Sequence, residues 1–120
     1  LYVGGAAGQR KTLLVQQQNS TFSEVKTPAF AQDSLYEDVD AVFFDADGDK
    51  DLDLYVVTGS NEFENGAPEQ ADRMYLNDGK GNFARDTRLP AIAENGSCVA
   101  AADFDRDGDV DLFIGGRMIP

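Results

Sequence analysis

Histidine and tryptophan are absent from the 120-residue sequence, and cysteine occurs once, as Cys98. A single cysteine excludes an internal disulfide and a CxxC metal or redox site. The lack of histidine excludes Ser-His-Asp and Cys-His catalysis within this segment. No apolar run approaches the roughly 20 residues of a membrane span, and no signal-peptide pattern is present. We therefore expect Cys98 to be a small buried core residue rather than a nucleophile.

Basic residues are scarce as well. The sequence has 10 Lys and Arg against 22 Asp and Glu, which gives a net charge of -12. This charge would be repelled by the phosphates of nucleic acid and by an anionic membrane surface. We therefore expect no nucleic-acid partner and no direct membrane insertion. The sequence begins and ends abruptly, at Leu1 and Pro120, so we expect it to be cut from a longer protein.

The acidic residues concentrate in two nine-residue loops, residues 45–53 and 103–111. Each loop holds five aspartates at alternate positions and one basic residue. Carboxylates this close repel one another by on the order of a kcal/mol per pair, and a bound cation reverses that repulsion. The sequence therefore predicts a metal site in each loop, with the candidate ligands Asp45, Asp47, Asp49, Asp51 and Asp53 in the first and Asp103, Asp105, Asp107, Asp109 and Asp111 in the second.

Calcium suits these residues best, because it takes six to eight oxygen ligands. In a tight loop, positions 1, 3, 5 and 9 can supply carboxylates and position 7 a backbone carbonyl, here that of Asp51 or Asp109. Gly108 permits the sharp bend at position 6, where the first loop has Lys50. We predict two Ca²⁺ sites, with the second loop closer to this template. Magnesium, which favours strict octahedral geometry, and zinc, which favours nitrogen and sulfur, are weaker candidates.

Two alternatives to a calcium loop of a β protein were considered. The loops could be solvated acidic turns that bind nothing specifically. They could also be EF-hand loops, which begin with the same aspartate spacing. An EF-hand requires Glu at position 12 and flanking helices. Val56 and Ile114 occupy that position in sequences that read as strands, so an EF-hand is rejected.

The chain repeats itself about every 60 residues. Residues 1–5, 54–59 and 112–116 are alike, and residues 13–22 align with residues 74–83. A period of this length indicates a propeller or solenoid array. Runs of β-branched and aromatic residues predict strands. In the complete copy these strands lie at residues 39–44, 54–58, 73–77 and 82–85.

We therefore predict an all-β fold, an incomplete β-propeller segment of about two four-stranded blades. Three strands belong to the first unit, four to the second and two to the third. The units span residues 1–36, 37–96 and 97–120. The connection at residues 60–72 is longer than the others and acidic; we expect a tolerated surface insertion, with a partner-contact loop as the alternative.

The acidic loops and the segment at residues 75–83 resemble FG-GAP/VCBS-type repeats. These are the calcium-loop blades of the integrin α-subunit propeller and of many bacterial surface proteins. Residues 75–83 and 115–120 are more narrowly similar to the VCBS proteins related to UnbV and cartilage acidic protein. The resemblance implies a seven- or eight-bladed propeller, calcium as ligand and an extracellular or cell-surface location, associated with the outer membrane in a bacterium.

These observations lead us to expect a non-catalytic, calcium-binding propeller segment of a larger secreted or cell-surface protein, serving macromolecular binding, adhesion or scaffolding. Its partners would be the remaining blades of its parent chain and another surface or secreted protein or a glycan. The alternative is the propeller portion of an extracellular carbohydrate- or ester-cleaving enzyme whose aspartates hold a catalytic metal. A purely structural spacer is the third possibility.

Overall fold

Three antiparallel sheets make up the molecule. The computed structural model describes residues 1–64, 66–90 and 92–117. Within this part the sheets have three, four and two strands, which confirms the predicted all-β pattern and is consistent with a partial β-propeller. The first sheet contains β1 (Tyr2–Val3), β2 (Thr12–Gln16) and β3 (Phe22–Val25); the second contains β4 (Asp38–Phe44), β5 (Asp53–Thr58), β6 (Arg73–Asn77) and β7 (Phe83–Asp86); the third contains β8 (Gly96–Ala102) and β9 (Asp111–Gly116).

Each strand pairs with its neighbour in sequence, so the sheets are meanders. In the β4–β5 hairpin, Phe44 pairs with Asp53. In the β8–β9 hairpin, Ala102 pairs with Asp111. The two acidic loops are therefore equivalent hairpin connections, each closed by an aspartate that begins the second strand.

The second sheet has a central strand, β5, that is buried on both faces. All six residues of β5 are buried. Because successive side chains of a strand point to opposite faces, Leu54 and Val56 pack with Leu13 of the first sheet, whereas Tyr55 and Val57 pack with the third sheet. β5 is therefore covered on both faces, which agrees with its sequence, an apolar run without alternation.

The third sheet is covered on one face alone among the described residues. Val99, Leu112 and Ile114 face the second sheet, while Phe113 on the other face is 71% exposed. Cys98 lies exposed as well. The expectation that Cys98 is a core residue is therefore wrong in this structure, because no described element packs on its side of β8.

A short helix, α1 (Pro28–Gln32), follows the first sheet and is not predicted by the sequence analysis. Its Phe30 is 2% exposed and meets the rings of Tyr2 and Tyr75 edge to face, at centroid distances of 5.3 and 5.0 Å. The helix thereby covers the junction between the first and second sheets. No helix in the described part of the chain is both long and apolar enough to cross a membrane.

The connection at residues 60–72 is anchored at both ends rather than freely solvated. Ser60, Gln70 and Ala71 are buried. The Gln70 side chain donates a hydrogen bond to the Ser60 carbonyl at 3.0 Å and accepts one from the Gly66 amide at 3.0 Å. The surface insertion thus has a packed base and an exposed, acidic tip, and a role in partner contact stays a prediction.

Candidate metal centres

The first acidic loop brings three of its five aspartates together. Carboxylate oxygens of Asp45, Asp47 and Asp49 all lie within 4.8 Å of one another. Asp45 is half-buried, while Asp47 and Asp49 are exposed. This is the geometry needed for several oxygens to reach one hard cation.

The second loop brings together a slightly different set. Oxygens of Asp103, Asp105 and Asp111 lie within 4.8 Å of one another, and all three residues are exposed. These residues stand at positions 1, 3 and 9 of the loop, against positions 1, 3 and 5 in the first. Asp107 and Asp109, which the sequence also predicts as ligands, lie outside this group.

The same hydrogen bonds shape both loops. The carboxylate at position 1 accepts a hydrogen bond from the backbone amide at position 6. Asp45 accepts from Lys50 at 3.0 Å, and Asp103 accepts from Gly108 at 3.1 Å. The carboxylate at position 9 accepts from the amide at position 2, at 2.8 Å in the first loop and 2.9 Å in the second. The carboxylates at positions 3 and 5 each accept from the amide two residues later in both loops. Two sequences that differ at every even position thus fold into one conformation.

Both loops also share two residues with left-handed backbone, at positions 4 and 6. In the first loop these are Gly48 (φ 82°) and Lys50 (φ 73°); in the second they are Arg106 (φ 64°) and Gly108 (φ 99°). Glycine adopts this conformation without steric cost, whereas a residue with a Cβ does not. Each loop therefore places its glycine at one of two strained positions and a basic residue at the other. Lys50 does not distort the first loop relative to the second.

Asp53 and Asp51 connect the first loop to the rest of the second sheet. Asp53 is fully buried; besides the Ala46 amide, its carboxylate accepts a hydrogen bond from the Asn77 amide at 2.8 Å. Asp51 lies outside the group formed by Asp45, Asp47 and Asp49. Both of its carboxylate oxygens are inaccessible to solvent and have no hydrogen-bond partner among the described residues.

The electrostatics of the first loop are unfavourable without a counter-charge. The pKa of Asp47 and that of Asp51 are raised, chiefly because the carboxylates lose hydration and further because neighbouring aspartates repel the ionised forms. A carboxylate that is removed from water and unpaired is costly. The donor set consists of oxygen atoms alone, and Asp51 has two without partners, so these residues fit a hard cation such as Ca²⁺.

A second cluster of charged residues lies between the first and second sheets and is not predicted by the sequence analysis. Arg73 forms an ion pair with Asp38, and their side chains are 0% and 3% exposed. Asp38 also accepts from the Tyr2 hydroxyl at 2.8 Å and from the Gly5 amide at 3.1 Å. Burial lowers the pKa of nearby Lys11. The Arg73–Asp38 pair lies within the second sheet, and Asp38 joins it to the first sheet through Tyr2 and Gly5. Because its charged groups are buried and paired, this cluster connects the sheets and offers no open reaction centre.

One comparison with known families gives a match, in the second half of the chain. Residues 57–114 match the model of the family described as FG-GAP-like repeat. The match includes the second acidic loop, all of β8 and the first four residues of β9. No curated protein and no solved structure matched the chain. The narrower similarity to the UnbV group stays a prediction, whereas the matched repeat and the sheet pattern together support an FG-GAP/VCBS repeat protein.

Proposed function

We propose that this chain is a non-catalytic, calcium-binding segment of a β-propeller in a larger secreted or cell-surface protein. Each acidic loop binds one Ca²⁺, and the ion neutralises the aspartates and holds the two strands of its hairpin together. The segment then contributes a rigid part of a surface that binds another protein or a glycan.

The observation that carries this proposal is the set of hydrogen bonds and backbone conformations that the two loops share. Four hydrogen bonds recur at the same positions, and two left-handed residues recur at positions 4 and 6 in each loop. Solvated acidic turns have no reason to keep their carboxylates converging through such costly backbone conformations. A shared ligand gives that reason.

Calcium titration of the full-length protein tests the proposal. We expect Asp45→Asn and Asp103→Asn each to remove about one bound ion, because each takes a charged oxygen from one loop. Calorimetry would count the ions, and thermal unfolding with calcium or with a chelator would measure their contribution to stability. Magnesium at the same concentration should raise the melting temperature less.

Equal melting temperatures with calcium and with chelator would contradict the proposal. So would an unchanged ion count in both variants. Lys80→Ala provides a control, since Lys80 is an exposed residue of the β6–β7 turn outside both loops; it should bind as many ions as the unsubstituted protein.

An extracellular or cell-surface location is part of the proposal. FG-GAP repeats are typical of extracellular proteins, and millimolar calcium outside cells fills even weak sites. Accessibility of the protein to a membrane-impermeant label on intact cells would support this location. Exclusive recovery in the cytosol would contradict it.

Binding rather than catalysis is proposed because the acidic loops recur as equivalents. A reaction centre is ordinarily single, whereas residues 45–53 and 103–111 repeat one arrangement. The alternative, an extracellular carbohydrate- or ester-cleaving enzyme, predicts calcium-dependent hydrolysis of model glycosides or esters that is lost in Asp45→Asn or Asp103→Asn. Capture of surface glycans or co-secreted proteins by the full-length protein would favour the adhesion role over a spacer.

A further inference from the structure

The turn between β6 and β7 packs directly against the first acidic loop. This turn, residues 78–82, is held by its own bonds: the Asp78 carboxylate accepts from the amides of Lys80 and Asn82, at 2.9 and 3.1 Å. It lies at the same end of the sheet as the loop because β5 and β6 are antiparallel neighbours. One side of the first loop is therefore formed by the turn of another hairpin.

Asn77 is the residue that connects the turn to the loop. Its side-chain amide donates to the Leu52 carbonyl at 3.2 Å and accepts from the Gly81 amide at 3.0 Å. Its backbone amide donates to Asp53 at 2.8 Å. One asparagine thus holds the last two residues of the loop on one side and the turn on the other.

The Asp53 side chain links Asn77 to the beginning of the loop. One carboxylate oxygen accepts from Asn77, and the other accepts from the Ala46 amide at 2.8 Å. The side chain is 0% exposed, so both bonds are shielded from water. A shift of Asn77 would move Asp53 and, through it, the segment that carries the converging carboxylates.

The turn also covers Asp51. A Cβ built on Gly79 would stand 3.4 Å from an Asp51 carboxylate oxygen. Both Asp51 oxygens are inaccessible and lack hydrogen-bond partners among the described residues. A carboxylate in that state is expected to be satisfied by a cation. This differs from the expectation that Asp51 contributes its backbone carbonyl alone.

We propose that Asn77 is a positioning residue for the first cation site, which it holds in the binding conformation through Leu52 and Asp53 while the β6–β7 turn encloses the Asp51 carboxylate. This role rests on the proposed function, the binding of calcium by the loops. It adds a second segment to a site that the loop sequence alone would confine to residues 45–53. Loss of such an outer contact typically weakens metal affinity by about 10- to 100-fold.

The test compares Asn77→Ala with Asn19→Ala in the full-length protein carrying Asp103→Asn, which removes the second loop's site from the comparison. Asn19 is the matched control, because it is an exposed asparagine of the equivalent turn between β2 and β3, where its side chain accepts from the Thr21 amide at 3.2 Å. We expect Asn77→Ala to weaken calcium binding at the first loop about 10-fold or more, and Asn19→Ala to leave it unchanged. Subtracting the calcium-binding isotherm of the variant that carries both Asp45→Asn and Asp103→Asn leaves the binding at the first loop alone.

Measurements without calcium distinguish the proposed positioning role of Asn77 from a purely structural role. Hydrogen exchange of the peptide that covers residues 45–53 should become faster in calcium-free Asn77→Ala and not in Asn19→Ala, with equal melting temperatures of the two calcium-free variants. Equal calcium affinity in the two variants would overturn the positioning role alone. Absence of calcium binding at the first loop of the otherwise unsubstituted protein would overturn the proposed function together with this role.

Discussion

Single residues decide the conformation of the acidic loops in a way that the sequence predicts only in part. The alternating aspartates identify the loops, and Gly108 correctly marks a position of positive φ. From the sequence alone, Lys50, at the matching position of the first loop, departs from the calcium-loop template. The structure gives Lys50 the same left-handed backbone as Gly108, and the glycine of the first loop, Gly48, has a positive φ at position 4. The positive φ at Lys50 leaves no mark in the residue type, because bonds such as that from the Lys50 amide to Asp45 hold the backbone there.

Relief of this strain is a testable consequence. We expect Lys50→Gly to stabilise the calcium-saturated protein by about 0.5–1 kcal/mol, since glycine removes the left-handed strain of roughly 1–2 kcal/mol but loses more chain entropy on folding. Arg106→Gly should act in the same direction. Denaturant unfolding in saturating calcium measures the free energy of unfolding.

The control is Lys80→Gly, because Lys80 is exposed and has no positive φ. That change should destabilise slightly, through entropy alone. A loss of stability in both Lys50→Gly and Arg106→Gly would contradict the assignment of strain to these positions.

The roles of the individual aspartates were less predictable than their number. Asp45, Asp47 and Asp49 converge as the spacing predicts, and so do Asp103, Asp105 and Asp111. The inaccessible carboxylate oxygens of Asp51 lie beside Gly79, which is 28 positions away in the printed sequence. A loop sequence cannot report a contact with a turn of another hairpin, even though the motif at residues 75–83 is recognisable.

At the scale of elements, strands were predictable and the helix was not. Every strand of the second sheet appears within a residue or so of its predicted limits, because runs of β-branched and aromatic residues specify extended chain. Helix α1 is five residues long, too short for a periodic apolar pattern to emerge. Pro28 at its start was the available signal, since proline favours the first helical position.

The helix contributes to stability through one side chain. We expect Phe30→Ala to destabilise the protein by about 3–5 kcal/mol, because it leaves a cavity between Tyr2, Tyr75 and Phe83 where the ring is now fully enclosed. Denaturant unfolding of the full-length protein checks the value.

Phe22→Ala offers a comparison of the same chemical change at a surface position, since Phe22 is 54% exposed. It should cost far less. Similar losses for the two variants would mean that α1 is not packed between the sheets as described.

At the scale of the whole molecule, the sheets are joined by polar as well as apolar contacts. Leu13 and Phe30 bring the first sheet onto the apolar face of the second. Arg73 and Asp38 form their buried ion pair beside this contact, and Tyr2 of the first sheet bonds to the same aspartate. The repeat in the sequence predicts that sheets follow one another. It does not predict this pair, because Arg73 and Asp38 are single residues in two strands with no equivalent pair readable in the other copies.

Breaking the pair should weaken the junction of the two sheets. We expect Arg73→Met to destabilise the protein by about 3–5 kcal/mol, because it leaves Asp38 charged and buried. Unfolding by denaturant, followed by tyrosine fluorescence, measures the loss.

Arg88→Met is the matched control at an exposed ion pair with Asp86. It should change the free energy of unfolding little, because solvent screens such a pair. Equal effects of the two substitutions would contradict a structural role for the buried pair. Partial rescue of Arg73→Met by Asp38→Asn would support it, since the second change removes the unpaired charge.

The interchange of glycine and a basic residue between the two acidic loops has a consequence for recognising further copies. A pattern that requires glycine at the sixth position finds residues 103–111 and passes over residues 45–53. A pattern of five aspartates at alternate positions, with glycine at either the fourth or the sixth, finds both. Applied to longer chains that contain this repeat, it would locate loops of the same shape that a fixed glycine conceals.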